Sequence, residues 1–207
     1  MKSDVVSSNI INWIKDYCES NGIQSLVIGI SGGVDSALTS TLSALTGLNT
    51  YLVSMPIHQN KDQLLRARNH VEWLCNRLDN VHFIEKDLTS AFSVFSSALD
   101  DGEKTDLSLA NTRARLRMTM LYQLASVHGA IVVGTGNKVE DFGVGFYTKY
   151  GDGGVDISPI ADLTKSEVRE LSRYLGVDNE IVNAAPTDGL WEDDRTDEEQ
   201  LGASYEE

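Results

Sequence analysis

Short segments of strand length alternate along the chain with longer segments whose apolar residues recur at helical spacing. The predicted strands span residues 25–30, 50–57, 81–87 and 130–134, and the helical segments span residues 4–20, 34–46, 60–78, 107–127 and 164–175. The apolar run at residues 25–30 suits a strand that is buried on both faces. The alternation of strands with helices favours an α/β fold, a parallel sheet flanked by helices, with ligands at the carboxyl ends of the strands.

Length and composition narrow the class of protein. A chain of 207 residues predicts one domain, residues 1–207. It has no run of 18 apolar residues, and polar residues stand in residues 1–20 where a signal peptide needs an apolar core. Cys18 and Cys75 fit a reducing compartment better than a disulfide framework. We therefore expect a cytoplasmic protein that does not enter a membrane.

The net charge of −14 limits the kind of partner. It argues against a general nucleic-acid-binding surface, because phosphate backbones attract positive charge. A single nucleotide remains compatible, since it needs only a few amides and cations. The acidic stretch at residues 192–207 is either a solvated chain end or an acidic flap over a site.

The segment SGGVDS, residues 31–36, follows the first predicted strand and leads directly into a helix. Its two glycines allow a tight turn that brings backbone N–H groups close to a ligand, and the helix start adds partial positive charge. Asp35 would repel a bare phosphate but could hold a divalent cation that bridges phosphates. An ordinary strand-to-helix turn is the alternative; the complete segment favours phosphate binding.

The segment GTGNKVE, residues 134–140, follows the fourth predicted strand in the same way. Glu140 could approach the cation held by Asp35, because neighbouring loops at one sheet edge lie close together. One or two carboxylates with phosphate oxygens form a usual magnesium site. The alternative is that Glu140 is an exposed acid at a helix start.

The longest helical segment carries a stripe of mostly small residues: Ala110, Ala114, Met118, Leu121 and Ala125. The stripe predicts close packing against another helix, within the monomer or across a dimer. Asn111 and Arg115 share a face beside it, and three arginines in five residues suggest an anionic partner. Of the three, we expect Arg115 to be the least solvated.

Residues 146–156 alternate aromatic residues with glycines and two acids. Such a stretch could stack on a flat ring and hydrogen-bond a ribose. A glycine loop that aromatic residues anchor to the core has the same composition, and composition alone favours this second interpretation.

Five motifs together resemble one family. They are SGGVDS (31–36), NTRARLRM (111–118), GTGNKVE (134–140), FYTKYGDGGVDISPIADLTKSEV (146–168) and APTDGLWEDDRTDEEQLGASYEE (185–207). SGGVDS resembles the signature of the PP-loop ATP pyrophosphatases, and all five occur in the same order in the NAD synthetases. The resemblance implies a Rossmann-like, adenine nucleotide alpha-hydrolase-like fold of PP-loop type.

The resemblance also implies roles for individual residues. ATP would be bound by Gly29, Ile30, Ser31, Gly32, Gly33, Val34, Asp35, Ser36, Thr135, Lys165 and Thr187. Asp35 and Lys165 would be catalytic, and Asp35 and Glu140 would hold Mg²⁺. Arg115, Lys149 and Asp156 would contact the dinucleotide substrate. Residues 187–200 resemble a loop that covers the site in this family.

Two departures of the chain from the family pattern concern the site. The resemblance implies that one residue is added between Glu140 and Lys149. Family members also usually continue beyond the position of Glu207, with a further helix and a basic segment that reaches the substrate.

The reaction implied by the resemblance is the amidation of deamido-NAD (nicotinic acid adenine dinucleotide). ATP activates the carboxylate as an adenylate, and ammonia then gives NAD, AMP and pyrophosphate. Two alternatives stay open: another amidating or thiolating PP-loop enzyme, and a nucleotide-binding module without catalysis. We expect free ammonia as the nitrogen source, with a separate glutaminase partner as the alternative. The small-residue stripe and the resemblance both favour a homodimer.

Overall fold

A parallel sheet of four strands forms the centre of the structure, a computed structural model that describes residues 1–185 and Gly202. The strands are β1 (Ser25–Gly29), β2 (Asn49–Ser54), β3 (Val81–Glu85) and β4 (Ala130–Val132). All pairings are parallel, in the order β3-β2-β1-β4. The predicted α/β fold is therefore confirmed.

Seven α-helices surround this sheet in the described part of the chain. They are α1 (Ser3–Ser20), α2 (Val34–Ala44), α3 (Lys61–Cys75), α4 (Thr89–Ser97), α5 (Asp106–His128), α6 (Lys165–Leu175) and α7 (Asn179–Val182). A 3₁₀ turn spans Asp101–Glu103, and a π-helix spans Lys138–Val144. The five predicted helices are confirmed, whereas α4, α7 and the π-helix were not predicted. No helix among the described residues is both long and apolar enough to cross a bilayer.

Both faces of the sheet are covered, as the apolar run at residues 25–30 predicts. On one face Ile28 and Leu52 pack with residues of α1, α2, α3 and α6. On the other face Val27 and Val53 pack with residues of α4 and α5. All four strand residues are fully buried. Hydrophobic burial on two faces explains why these strands are continuously apolar rather than alternating.

The order of the strands determines where in the fold the predicted ligand site lies. The chain passes from β1 to β2 to β3 on one side of β1, and α5 then carries it back to β4 on the other side. The loops after β1 and β4 thus leave neighbouring strands in the region where the strand order reverses, which is where ligands bind in open α/β sheets. A parallel bridge between Val133 and Ile157 extends this edge.

The small-residue stripe on α5 does not pack as predicted. Met118, Leu121 and Ala125 are buried against the sheet residues that α5 covers. Ala114 lies close to Gly151 in the loop that follows β4: a Cβ added to Gly151 would lie 2.9 Å from the Ala114 Cβ. The prediction of helix–helix packing was wrong because small residues also allow a helix to lie close to a sheet and a glycine loop.

His70 on α3 is a buried titratable group in the core. Its Nε2 lies 2.9 Å from the Ser40 Oγ, and its ring stacks on Trp73 with centroids 5.6 Å apart. Only 3% of the residue is exposed. Burial lowers the pKa of His70 to about 4, because the charged imidazolium loses its hydration.

Acidification is expected to destabilise the fold through His70. The folded-state pKa lies below the unfolded value, so this contribution is complete above about pH 6.5 and is lost as the pH falls towards 4. Between pH 7.5 and 5 the loss is about 2 kcal/mol. Urea unfolding at both pH values should show that His70→Gln removes this part of the pH dependence. His82→Gln, at an exposed histidine, should keep it; equal profiles for the two variants would contradict the assignment.

Candidate active site

A cavity of about 380 Å³ opens at the carboxyl ends of β1 and β4. It is lined by the β1–α2 loop (residues 29–36), by the β4 loop (residues 134–140) and by Lys165 at the start of α6. The cavity therefore brings together Gly29 to Ser36, Thr135, Glu140 and Lys165, which sequence comparison placed around ATP. Thr187 and the segment 187–200 lie outside the described residues.

The β1–α2 loop is held in a tight conformation. Gly32 has φ +86°, and a Cβ there would overlap the Gln63 carbonyl oxygen of α3. The Ser36 hydroxyl accepts a hydrogen bond from the Ser31 N–H (3.3 Å) and donates one to the Gly33 carbonyl (3.0 Å). Since no side chain caps the start of α2, its first amides are available to an anion at the cavity wall.

Lys165 forms a buried ion cluster with the two predicted metal ligands. Its Nζ lies 2.6 Å from the Asp35 Oδ2 and 2.7 Å from the Glu140 Oε1. The exposed fractions of the Lys165, Asp35 and Glu140 side chains are 3%, 18% and 13%. We refer to these three residues as the ion cluster. Sequence reasoning chose all three but did not predict that the ammonium would lie between the carboxylates.

The electrostatics of the ion cluster favour the charged form of Lys165. Burial alone would lower the pKa of Lys165, yet Asp35 and Glu140 outweigh it and raise the pKa above its usual value. Burial, together with the charge of Glu140, keeps the pKa of Asp35 above its usual value, although the Lys165 ammonium opposes this rise. A buried pair at 2.6 Å gains much more from Coulomb attraction than an exposed one, so we assign full charge to Lys165.

The start of α6 holds the base of the Lys165 side chain. Thr164 and Glu167 form a capping box: the Thr164 N–H donates to the Glu167 carboxylate at 2.9 Å, and the Thr164 hydroxyl accepts from the Glu167 N–H at 3.4 Å. Lys165 is therefore the first residue of a helix that is fixed at its start.

Asn137 is a site residue that sequence reasoning missed. It is fully buried, and its Nδ2 donates to the Asp35 Oδ1 at 3.2 Å. Its Oδ1 accepts from the N–H groups of Val139 and Glu140 at 3.0 and 3.1 Å, which caps the π-helix. One amide thus positions both acids of the ion cluster. The preference of Asn for helix starts was the only signal in the sequence.

Asn137→Ala is expected to lower the free energy of unfolding by roughly 2–3 kcal/mol, because it removes a cap and leaves buried polar groups unsatisfied. Asn60 offers a matched control, since its side chain caps α3 at an exposed position. Asn60→Ala should cost about 1 kcal/mol. Urea unfolding measures both, and equal losses would contradict a joint role for Asn137.

The π-helix overlaps the stretch between Glu140 and Lys149, where the family resemblance implies one added residue. A π-turn contains one residue more than an α-turn, so it can accommodate an insertion within a helical segment. The Lys138 N–H donates to the Leu163 carbonyl at 2.9 Å, and the Phe146 N–H donates to the Glu140 carbonyl at 2.7 Å. These bonds tie both ends of the π-helix, so Glu140 stays beside Lys165.

Asp141 adds a further carboxylate to this wall of the cavity. It is half-buried, and a Cβ on Gly136 would overlap its carboxylate. Burial, followed by the charges of Asp152, Glu140 and Asp35, raises the pKa of Asp141 to about 7. Sequence reasoning missed Asp141 because an acid beside Glu140 looks like ordinary helix-surface charge.

The loop at residues 146–156 is anchored to α5. The Arg115 Nε donates to the Lys149 carbonyl at 3.0 Å, and the Thr148 hydroxyl donates to the Asn111 Oδ1 at 2.7 Å. Asp156 accepts from the Tyr122 hydroxyl at 2.9 Å and from the Val132 N–H at 2.8 Å. These bonds hold the loop against α5 and β4.

The three residues predicted to contact the dinucleotide lie in this loop or on α5, and they are not part of the cavity lining. Arg115, Lys149 and Asp156 have exposed side chains and do not line the cavity, whereas Asn111, Thr148 and Asp152 do. The aromatic residues partly anchor the loop, because the Tyr147 ring occupies the space that a Cβ on Gly153 would need.

The arginines of α5 differ from the prediction. Arg113 is buried, with its guanidinium 4.5 Å from the centre of the Phe92 ring, and Arg115 is exposed. Arg117 lines the cavity and donates to the Met55 carbonyl and the Gln59 side chain, both at 3.0 Å. The expectation that Arg115 is the least solvated was wrong, because α4 covers the Arg113 side of α5.

The two carboxylates of the ion cluster fit a magnesium ion whose remaining ligands include phosphate oxygens. Asp35 and Glu140 come from separate elements, yet their carboxylates converge on one cation, the Lys165 ammonium. The described residues contain no group of three or more His, Cys, Asp or Glu side chains that could hold a metal by itself. Two carboxylates that need phosphate oxygens to complete the shell are typical of Mg²⁺ in nucleotide sites.

Comparisons with known proteins agree with this geometry. The family model described as NAD synthase matches residues 6–207. An NH(3)-dependent NAD(+) synthetase from Methanococcoides burtonii is 43% identical over 201 residues, which cover 95% of this chain and 74% of that protein. Among solved structures, NMN synthetase from Francisella tularensis has a TM-score of 0.92 at 34% identity, covering 100% of this chain and 84% of that chain.

An NH3-dependent NAD synthetase from Campylobacter jejuni has a TM-score of 0.80 at 29% identity, over 88% of this chain and 77% of that one. The family model and the curated relatives cover nearly the whole chain, and the ion cluster lies in motifs of the same family. The chain therefore belongs to the NAD synthase family.

Proposed function

We propose that the chain catalyses the ATP-dependent amidation of deamido-NAD with ammonia, which gives NAD, AMP and pyrophosphate. The observation that carries the proposal is the ion cluster of Asp35, Glu140 and Lys165 beside an amide-lined loop. Family membership favours this reaction over another PP-loop enzyme and over an inactive nucleotide-binding module.

In the first step an oxygen of the substrate carboxylate attacks the α-phosphorus of ATP. The bond between the α-phosphorus and the bridging oxygen breaks, and pyrophosphate leaves with that electron pair. The β1–α2 loop, residues 29–36, binds the phosphates through its amides, and Thr135 and Thr187 are proposed as further ATP contacts. The Lys165 ammonium stabilises the charge that develops on pyrophosphate.

Magnesium, when bound, neutralises phosphate charge and aligns the phosphates for attack. Asp35 and Glu140 are the residues that would hold it, and Asn137 keeps both acids in position.

In the second step ammonia attacks the acyl carbon of the adenylate, and AMP leaves with the bridging oxygen. We assign Arg115, Lys149 and Asp156 to binding of the dinucleotide, since all three belong to α5 or to the loop anchored on it. Catalysis depends on positioning and charge stabilisation, and it requires no covalent protein intermediate.

Purified protein with ATP, Mg²⁺, ammonium and deamido-NAD tests the proposal. Formation of NAD and AMP in equal amounts supports it. Pyrophosphate release only with a different acceptor would indicate another PP-loop enzyme, and nucleotide binding without turnover would indicate an inactive module. Replacing ammonium with glutamine should abolish product, because ammonia is proposed as the direct nitrogen donor.

A mononucleotide acceptor is a second candidate. The observation in its favour is the NMN synthetase of Francisella tularensis, which matches this chain with a TM-score of 0.92, against 0.80 for the Campylobacter NAD synthetase. The same chemistry on nicotinic acid mononucleotide would give NMN. Competition between equal concentrations of the two acids, with NAD and NMN measured together, distinguishes the candidates by the ratio of kcat/KM.

We further propose that residues 1–207 act as one catalytic domain, in the cytoplasm and as a homodimer. The dimer proposal rests on the family resemblance and on two adjacent apolar side chains exposed on α4, Val94 (72%) and Phe95 (46%). Burial of such side chains favours association. Sedimentation equilibrium should give twice the chain mass, and a monomer at micromolar concentration would overturn the proposal.

A further inference from the structure

We propose that Lys165 occupies the magnesium position of the ligand-free enzyme and moves from it when metal and nucleotide bind together. The inference rests on the proposed function, which assigns Asp35 and Glu140 to the metal. Both carboxylates contact the same nitrogen, at 2.6 and 2.7 Å. The ammonium thus lies at the point where a cation shared by these two acids has to be.

The two carboxylates of the ion cluster require a neighbouring cation whether or not a metal ion is bound. Their side chains are largely buried, and Asp141 on the same wall is a further acid. Two like charges that face one another out of water repel strongly and lose hydration. A metal site without a counter-ion would therefore destabilise the fold whenever the metal is absent, and Lys165 prevents this.

The structure also provides a destination for the displaced ammonium. The backbone of Lys165 is fixed by the Thr164–Glu167 capping box, so movement is confined to the side chain. That side chain is a flexible stem with a compact charge, and it lines the same cavity as the β1–α2 loop. When phosphates occupy that loop, they offer the ammonium a new anionic partner within reach of the same backbone position.

Charge balance then couples the two ligands. Without nucleotide, a divalent cation at the carboxylates must displace the ammonium that both acids hold at 2.6 and 2.7 Å, so its binding is weak. The phosphates of a nucleotide offer the displaced ammonium a new anionic partner, so metal and nucleotide should bind with positive cooperativity. A permanent structural ion pair predicts instead that Lys165 stays on the carboxylates in every state.

Calorimetric titration of Mg²⁺ into nucleotide-free protein tests the exchange. Lys165→Met removes the competing charge, so Mg²⁺ should bind at least about tenfold more tightly than to the unsubstituted chain. Mg²⁺ alone should also raise the Tm of Lys165→Met and leave the unsubstituted chain nearly unchanged. The matched control is Lys104→Met, which removes a half-buried lysine 3.7 Å from Asp101 and should not alter Mg²⁺ affinity.

Equal Mg²⁺ affinities for Lys165→Met and the unsubstituted chain would overturn the inference. Should Lys165→Met fail to fold, the unsubstituted chain provides a second measurement: a crystal structure with Mg²⁺ and α,β-methylene-ATP. The Lys165 Nζ should then lie beyond ion-pair distance of both carboxylates and contact a phosphate oxygen. An ammonium still held by both carboxylates would overturn the inference. Neither measurement requires turnover, so an enzyme that makes NAD but shows no exchange refutes this inference alone.

Discussion

Asp35→Asn should lower kcat/KM for Mg-ATP by about a hundredfold or more, the typical effect of removing one group that stabilises transition-state charge. The substitution keeps the size of the side chain, but it removes the charge and turns one of the two acceptor oxygens into a donor. The free energy of unfolding should fall by about 1–3 kcal/mol, because either the Asn137 Nδ2 or the Lys165 Nζ loses its acceptor on this side chain, while Lys165 remains paired with Glu140 at 2.7 Å. A large loss of activity with a moderate loss of stability is thus expected.

Initial rates over a range of Mg²⁺ concentrations measure this effect, with urea unfolding as the test of stability. Asp62→Asn is the matched control, since Asp62 also lies in the first turn of a helix but is exposed and does not line the cavity. Its rates should equal those of the unsubstituted chain. An Asp35→Asn enzyme with unchanged turnover at limiting Mg²⁺ would refute a metal role for Asp35.

Gly32→Ala is expected to lower the free energy of unfolding by roughly 2–4 kcal/mol and to abolish ATP binding. The residue has φ +86°, and its added methyl group would overlap the Gln63 carbonyl oxygen and lie 3.3 Å from the Ala67 N. Both neighbours are backbone atoms of α3, so the clash cannot be relieved by a side-chain rotation. The β1–α2 loop would have to move away from the position that its ligand requires.

Gly22→Ala separates the effect of left-handed backbone strain from the effect of a collision with α3. Gly22 has φ +68°, but a Cβ there would have nothing within 4 Å. It should cost only about 1 kcal/mol, the strain of a left-handed backbone without a collision, and should leave ATP affinity unchanged. Urea unfolding and titration with α,β-methylene-ATP measure both quantities. If Gly32→Ala is no more damaging than Gly22→Ala, contact with α3 does not hold the loop.

The fold could be predicted from the sequence because burial on both faces leaves an unmistakable pattern. Residues 25–30 and 130–134 are continuously apolar, and two-sided packing on the sheet requires this. α4 has no comparable signal, since Thr89–Ser97 contains five Ser or Thr residues, which have only modest helix propensity. Its helical state depends on Phe92, which is buried against α5 and the sheet.

The members of the site could be predicted, but their mutual arrangement could not. The glycines and acids of the loops are confined to short motifs, so their positions at the sheet edge follow from the strand order. Lys165 is separated from Asp35 by 130 residues, and spacing does not reveal where a long side chain ends. The same problem affected Arg113 and Arg115, because one face of a helix cannot be assigned to the interior until its neighbours are known.

The π-helix has a consequence for comparing this chain with its relatives. A π-turn contains one residue more than an α-turn, and this π-helix is held by the Asn137 cap and by the bond from the Phe146 N–H to the Glu140 carbonyl. A change between π and α winding after Glu140 could therefore accommodate the gain or loss of one residue while the Asn137 cap keeps Glu140 in place. We expect a one-residue gap at this point in an alignment to reflect a change in winding rather than a change at Glu140.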